Sequence, residues 1–242
     1  NWPNTSLNVM VAESLDFIAT TLEKDIGKKP TPAKLQAAVA ALLRKLVKQH
    51  KRVIFNGDGY SKAWHDEAEK RGLPHLHDSI EALPMLKNKK ALDLLSKYGV
   101  LSRVEMTSRA IIAVEKYVKH ITIEADTMVN MVRRMIIPAV LQHQTRLAEV
   151  VAATIAAEVE CEDQRHELNE FVDSVTKLKA ATVALEKSLE HHDEDPMVHA
   201  KHIKANVKPA MAELRSIVDH LEAVVADELW PLPSYRDMLF IK

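Results

Sequence analysis

Apolar positions along this chain recur at intervals of three and four almost from end to end, the spacing of one face of an α-helix rather than the alternation of a strand. Leu7, Met10, Val11, Leu15, Ile18 and Leu22 form the first stripe. They predict a helix over residues 4–26, capped by Asn4 or Thr5 and ended by Gly27, Pro30 and Pro32. Leu35, Val39, Leu42, Leu43 and Leu46 mark a second helix over residues 31–50. The pattern then breaks. Residues 51–101 hold four of the five glycines. Here Val53, Ile54 and Phe55 predict a short extended run closed by the turn Asn56-Gly57-Asp58-Gly59. Short helices fit residues 61–71 and 88–98, Pro74 and Pro84 act as breaks, and Gly99 is placed as a helix C-terminal stop.

From Ser102 the helical pattern returns at greater length. Ser102-Arg103-Val104-Glu105 has the spacing of a capping box. Beyond it Val104, Ile111, Ile112, Val114, Val118, Ile121, Ala125, Met128, Met131, Val132 and Met135 predict a buried stripe, which resumes after Pro138 through Val140, Leu141, Leu147, Val150 and Ile155. Pro138 should kink this helix. Unbroken from 103 to 159, it would reach roughly 85 Å at about 1.5 Å per residue, so it must lie along other long helices. Two partners are at hand: Leu168, Val172, Val175, Leu178, Thr182, Leu185 and Leu189 form one heptad-like seam, and Ile203, Val207, Met211, Leu214, Val218, Leu221 and Val225 form another. Asp195-Pro196 between them is a helix start, with Asp as cap and Pro at the first helical position. An antiparallel hairpin over residues 164–229 follows, with a local bend at Pro209. The fold expected is all-α: long antiparallel helices and a helical hairpin, with a small irregular region around residues 52–100.

Composition narrows the function classes. The 242 residues contain 5 glycines, none after Gly99, which leaves no clustered glycines for a phosphate cradle. Lys and Arg total 33 against 34 Asp and Glu, so no global charge pulls the chain toward nucleic acid. The basic run from Arg44 to Arg52 fits a helix C-terminus and has no interleaved aromatics. No apolar run approaches the length of a membrane span. A single cysteine, Cys161, excludes an internal disulfide framework and fits a reducing, cytoplasmic compartment. The chain starts at Asn1 rather than Met, which suggests a piece of something longer.

Candidate chemistry is sparse. Glu190-His191-His192-Asp193-Glu194-Asp195, followed by His199 and His202, offers imidazoles for a metal such as zinc. The same residues read equally as a solvated hairpin tip whose acids face the next helix's N-terminus, and that reading is preferred. His75-Leu76-His77 has no Cys or second His pair near it in sequence. Cys161 lies among Glu160, Glu162 and Asp163, surroundings that disfavour a nucleophilic thiolate. Asn56–Gly59 lacks the ending of a P-loop and reads as a turn. No residue is singled out as catalytic, cofactor-binding or metal-ligating.

Several strings nevertheless occur in an order that is specific. They are Arg52-Val53-Ile54-Phe55-Asn56-Gly57-Asp58-Gly59-Tyr60-Ser61, then Trp64-His65, then Glu67-Ala68-Glu69-Lys70-Arg71-Gly72-Leu73-Pro74. Ala82-Leu83-Pro84 and Lys97-Tyr98-Gly99-Val100-Leu101-Ser102 continue the series, with Glu124-Ala125, Ile137-Pro138-Ala139 and the ending from Trp230-Pro231-Leu232-Pro233 to Phe240. Together they resemble the C-terminal region of type III glutamine synthetases, and Pro3-Asn4-Thr5 resembles the segment just after that family's last active-site arginine. His143 stands where the resemblance leads one to expect an aromatic residue.

The resemblance implies a parent enzyme that joins ammonia to glutamate through a γ-glutamyl phosphate, using ATP and Mg²⁺ or Mn²⁺. It implies a cytoplasmic assembly of stacked hexameric rings, with every metal, nucleotide and substrate residue upstream of this chain. In that frame residues 1–27 are the terminal helix of the catalytic domain and 28–101 connecting helices and loops. Residues 102–229 are a helical bundle, and 230–242 an apolar tail that docks back, onto the helix 4–26 or the region 52–100. The partners implied are the upstream catalytic domain and neighbouring subunits, with no nucleic acid or membrane. A different class, a free-standing helical module that docks a partner protein, accounts for the composition but not for the ordered strings.

Overall fold

The computed structural model describes residues 2–27, 29–233 and 235–239, the side chains of Tyr235 and Arg236 excepted. Among these residues every regular element is helical, which makes the fold all-α. By contact density the chain divides into two compact units, residues 1–111 and 112–242.

In the first unit, helices α1 (Trp2–Ile26) and α2 (Pro32–His50) pack on each other. Helix α1 starts earlier than expected: Pro3 lies in its first turn, where its missing N–H costs nothing, so Asn4 and Thr5 are inside the helix. Thr31 caps α2 by accepting from the Lys34 amide. Lys51–Val53 then makes one 3₁₀ turn, so the expected extended run is confined to the residues after Val53. The reason is electrostatic and local: this turn continues the end of α2, where the basic residues favour a helix C-terminus. Helix α3 (Lys62–Lys70), the short α4 (Ser79–Ala82) and α5 (Lys89–Lys97) complete the irregular region, with Ser61, Asp78 and Asn88 as side-chain caps. A small core of Val9, Leu95 and Met106 joins α1 and α5 to the first turns of the helix that starts at Arg103. Asp16 accepts from Tyr98 at 2.7 Å and from Lys97 at 3.2 Å, fixing the α1–α5 pairing.

Helix α6 (Arg103–Met131) begins with the expected capping box: the Glu105 amide donates to Ser102 Oγ and the Ser102 amide to Glu105 Oε2. It is followed by a single π turn, Val132–Ile136, and by α7 (Ile137–Ala156). Pro138 therefore does not break the helix. The wider turn just before it moves the carbonyls that the proline ring would otherwise strike. The same device recurs between α9 (Pro196–His202) and α10 (Lys208–Val224), where the π turn Ile203–Val207 precedes Pro209. At both prolines, where a bend was expected, the chain carries a π turn.

Within the second unit, α8 (Glu162–Leu189) packs against α7 on one side and α10 on the other. Its buried face is Phe171, Val175, Leu178, Thr182 and Leu185. The seam therefore passes through Phe171 where Val172 was expected, since an aromatic ring fills more of the space at that step than a valine. Opposite it, Ile203, Val207, Leu214, Val218, Leu221 and Val225 are all buried as expected. His143 takes the place of an aromatic: its ring lies 5.0 Å from that of Phe171 and faces the Ala226 amide. Helix α7 ends in a Schellman turn, the Val159 amide donating to the Thr154 carbonyl, and Glu158 occupies its left-handed position at φ 58° in a stretch with no glycine.

The tail departs from expectation. Leu229, Trp230 and Leu232 pack against the core of the 112–242 unit, so the acceptor is the bundle of the tail's own unit rather than helix α1 or residues 52–100. The chain leaves α10 directly beside that core, and the nearest apolar surface takes the rings first. A last helix, α11 (Tyr235–Leu239), follows, while Ser234, Phe240, Ile241 and Lys242 lie outside the described residues.

Candidate functional site

Three places repay attention, and the first is a knot of interactions where the ordered strings of the sequence are densest. Phe55 folds back so that a Cβ on Gly57 would stand 2.7 Å from its ring. The Phe55 ring stacks on Trp64 with centroids 4.5 Å apart. Arg71 lies over the other component of the stack, 5.6 Å from the Trp64 centroid. Its guanidinium also donates to Glu67 at 2.7 Å and to the carbonyls of Arg52 and Ile54. Gly72, at φ 69°, then reverses the chain in a second Schellman turn. The turn Asn56–Gly59 is a turn and nothing more. Its following amides are already engaged, Tyr60 by Asp58 Oδ1 and Ser61 by the Asp58 carbonyl, so they form no cradle for a phosphate.

The second is an open apolar face. Of the stripe that predicted α1, Leu7 is 58% exposed and Leu15 61%, with Met10 and Val11 as open, and only Val9 of this helix is buried. On α2, Leu35, Leu43 and Val47 are exposed while Leu42 is buried. In α6, Val104, Ile111 and Ile112 are exposed too; Val114 is buried as expected, joined by Met106 and Ala110, which the expected stripe did not include. So many exposed apolar residues along α1 and α2 exceed the single scattered ones that a surface ordinarily carries.

The third place is histidine. At the hairpin tip His191 stacks on His202 with centroids 4.1 Å apart, and His199 approaches His191 and His192 edge-on. His202 donates from Nε2 to the Ser188 carbonyl at 2.8 Å and meets the Asn206 amide at Nδ1, so both its nitrogens are engaged. Burial, with the neighbouring imidazoles, pushes the pKa of His199 down from its ordinary value. The tip is thus packed and partly tied to the backbone. Residues 65–77 differ. His65 and Glu69 lie four apart on α3, and the turn at Gly72 brings His75 and His77 back against them. Glu69, His75 and His77 offer ligand atoms that all lie within 4.8 Å of one another. The hydrogen bond from His75 holds the Glu69 carboxyl below its ordinary pKa. His75-Leu76-His77 still has no Cys or second His pair near it in sequence, but in space it gains Glu69 and His65 from the preceding helix. The i, i+4 pair His65–Glu69 followed by a helix-ending Gly72 was the available signal. Cys161 is buried at the start of α8.

Comparison with known proteins places the chain among glutamine synthetases. The family profile of the glutamine synthetase C-terminal domain matches residues 38–154. Over its whole length the chain is 36% identical to the type-3 glutamine synthetase of Dictyostelium discoideum, covering 34% of that protein. It is 27% identical to a glutamine synthetase of Bacteroides fragilis, over 98% of this chain and 33% of that one. A glutamine synthetase of Butyrivibrio fibrisolvens is 28% identical over 85% of the chain and 30% of its own length. The chain spans about a third of the length of the curated relatives it matches. The chain thus matches the C-terminal part of glutamine synthetases.

Proposed function

We propose that this chain is the helical C-terminal part of a larger, ATP-dependent glutamate–ammonia ligase of the type III kind, with an assembly role and no active site of its own. The observation that carries the reading is the match of the entire chain to one third of a type-3 glutamine synthetase. The open face of α1 and α2 supports it, because a face so apolar needs a covering body. In this reading residues 1–27 close the catalytic domain, 28–101 connect, 102–229 form the bundle and 230–242 dock back. The upstream domain and neighbouring subunits of a cytoplasmic hexameric-ring assembly are the partners. ATP and Mg²⁺ or Mn²⁺ belong to the upstream part. The Tyr60 and Ser61 amides that follow the Asn56–Gly59 turn are engaged by Asp58, which does not favour a nucleotide phosphate there, and no catalytic step is derived from the residues here.

Two measurements test this. The purified chain, given glutamate, ammonium, ATP and Mg²⁺, is expected to form no glutamine above a blank without protein; turnover refutes the lack of a site. Within the full-length parent, Leu15→Glu with Leu43→Glu is expected to lower the assembled mass seen by light scattering. An assembly unchanged by both charges refutes the docking role of this face.

A further inference from the structure

The cluster at residues 65–77 has a donor chemistry unlike anything else among the described residues of the first unit, and it is independent of the reading above. Three imidazoles gather about one carboxylate. The His75 and His77 rings are 3.9 Å apart at their centroids, and His65 lies 4.9 Å from His75. Glu69 Oε1 is 2.7 Å from His75 Nδ1. We propose that Glu69, His75 and His77, with His65 as the fourth ligand, form a binding site for Zn²⁺ that clips the 72–78 loop to helix α3.

The geometry is close to what the ion needs. Tetrahedral zinc with bonds of about 2.0–2.1 Å places its ligand atoms roughly 3.3 Å apart. The ligand atoms of Glu69, His75 and His77 already lie within 4.8 Å of one another, so small side-chain rotations bring these three to an ion, while His65, its ring 4.9 Å from that of His75, swings further to become the fourth. Helix α3 presents His65 and Glu69 from the same face at i, i+4. The other two ligands are held from behind. The Gly72 turn fixes where the loop returns, and the His77 amide donates to Glu81 at 3.0 Å just ahead of the Asp78 cap of α4. The Glu69 side chain is 56% exposed and that of His75 28%, which leaves an open path for the ion. Imidazole-rich donor sets select borderline ions such as Zn²⁺ over the hard Mg²⁺ and Ca²⁺, which take oxygen. The site is therefore distinct in kind from one for nucleotide-bound Mg²⁺.

Equilibrium dialysis of the whole 242-residue chain against Zn²⁺ tests the proposal. One site per chain is expected that Mg²⁺ in large excess does not displace. His75→Asn with His77→Asn is expected to weaken it by about 100-fold or more, beyond the 10–100-fold typical of outer partners. His191→Asn with His199→Asn at the hairpin tip should leave it unchanged. Zinc should also slow amide exchange across residues 72–78. Should the loop variant misfold, Co²⁺ bound to the unaltered chain gives an independent readout through the intense visible bands of a four-coordinate site. Retention of zinc by the folded loop variant, loss of zinc from the tip variant, or only the weak bands of hydrated Co²⁺ would each overturn the assignment.

Discussion

Leu185 lies at the centre of the second unit's core, with no exposed surface, among Leu178, Ile203, Leu214 and Leu221. Truncating it to alanine removes three carbons, a loss of about 2.4 kcal/mol at about 0.8 kcal/mol per buried methylene. The void left between α8 and α10 adds to this, because close-packed helices collapse only partly, bringing the total to about 3–4 kcal/mol. Lys187, two residues on, is exposed, and Lys187→Ala is expected to stay within about 0.5 kcal/mol. Urea unfolding followed by circular dichroism separates the two. With a slope of about 2 kcal/mol per molar, Leu185→Ala moves the midpoint by about 1.5–2 M. Because the chain comprises two units, only the transition of residues 112–242 should move. A shift below about 0.5 M for Leu185→Ala, or equal shifts for both variants, would refute the packing assigned to this seam.

Other expectations follow from local geometry. Glu158→Gly should raise stability by roughly 0.5–1 kcal/mol by relieving a side chain held in the left-handed region, and a lower midpoint in thermal unfolding would count against that turn. Gly57→Ala must push Phe55 off Trp64, costing about 1 kcal/mol and changing tryptophan fluorescence; an unchanged spectrum would contradict the stack. Ser102→Ala should cost about 1 kcal/mol through loss of the α6 cap, read as a lower urea midpoint. Arg133 donates to Glu186 and holds its carboxyl below the ordinary value of 4.5. That contribution is complete above pH 4.5 and is lost as pH falls through the lower folded value, so the stability gap between wild type and Glu186→Gln should close in acid. A gap that widens instead would reverse the assignment.

Helix starts were readable because a cap is chemistry within four residues. Thr31, Ser102 and Asp195 act as their side chains dictate, and Gly99 stops α5 as placed. The 203–225 seam was readable too, since every member of that stripe meets the same core. The stripe of α1 was correctly helical but not buried, because periodicity says which face is apolar and not what covers it. Val150 and Ile155 illustrate another limit. Both continue the apolar pattern of α7, yet Val151, four residues after Leu147, is the one buried, because adjacent apolar residues leave the choice of face to the partner helix. The histidines around Glu69 escaped notice for a third reason: their proximity depends on a chain reversal at Gly72, which spacing along the sequence does not display.

The two π turns carry a consequence for how this bundle tolerates length changes. A single residue advances an α-helix by about 1.5 Å and rotates it by about 100°. Val132, Ile136, Ile203 and Val207 sit in these turns and also in the core, so each turn is seated where the helices grip one another. Deleting one residue from either turn would restore regular winding and leave everything beyond it in phase with α8, because the wide turn absorbs the rotation of its extra residue. The proline ring would then strike the carbonyl that the wider turn had moved aside. A deletion elsewhere in the same helix would instead swing the remote half by about 100°. Homologues one residue shorter in these helices should therefore lose that residue at the π turn and the proline with it, whereas the connections at 157–161 and 190–195 can lengthen or shorten freely.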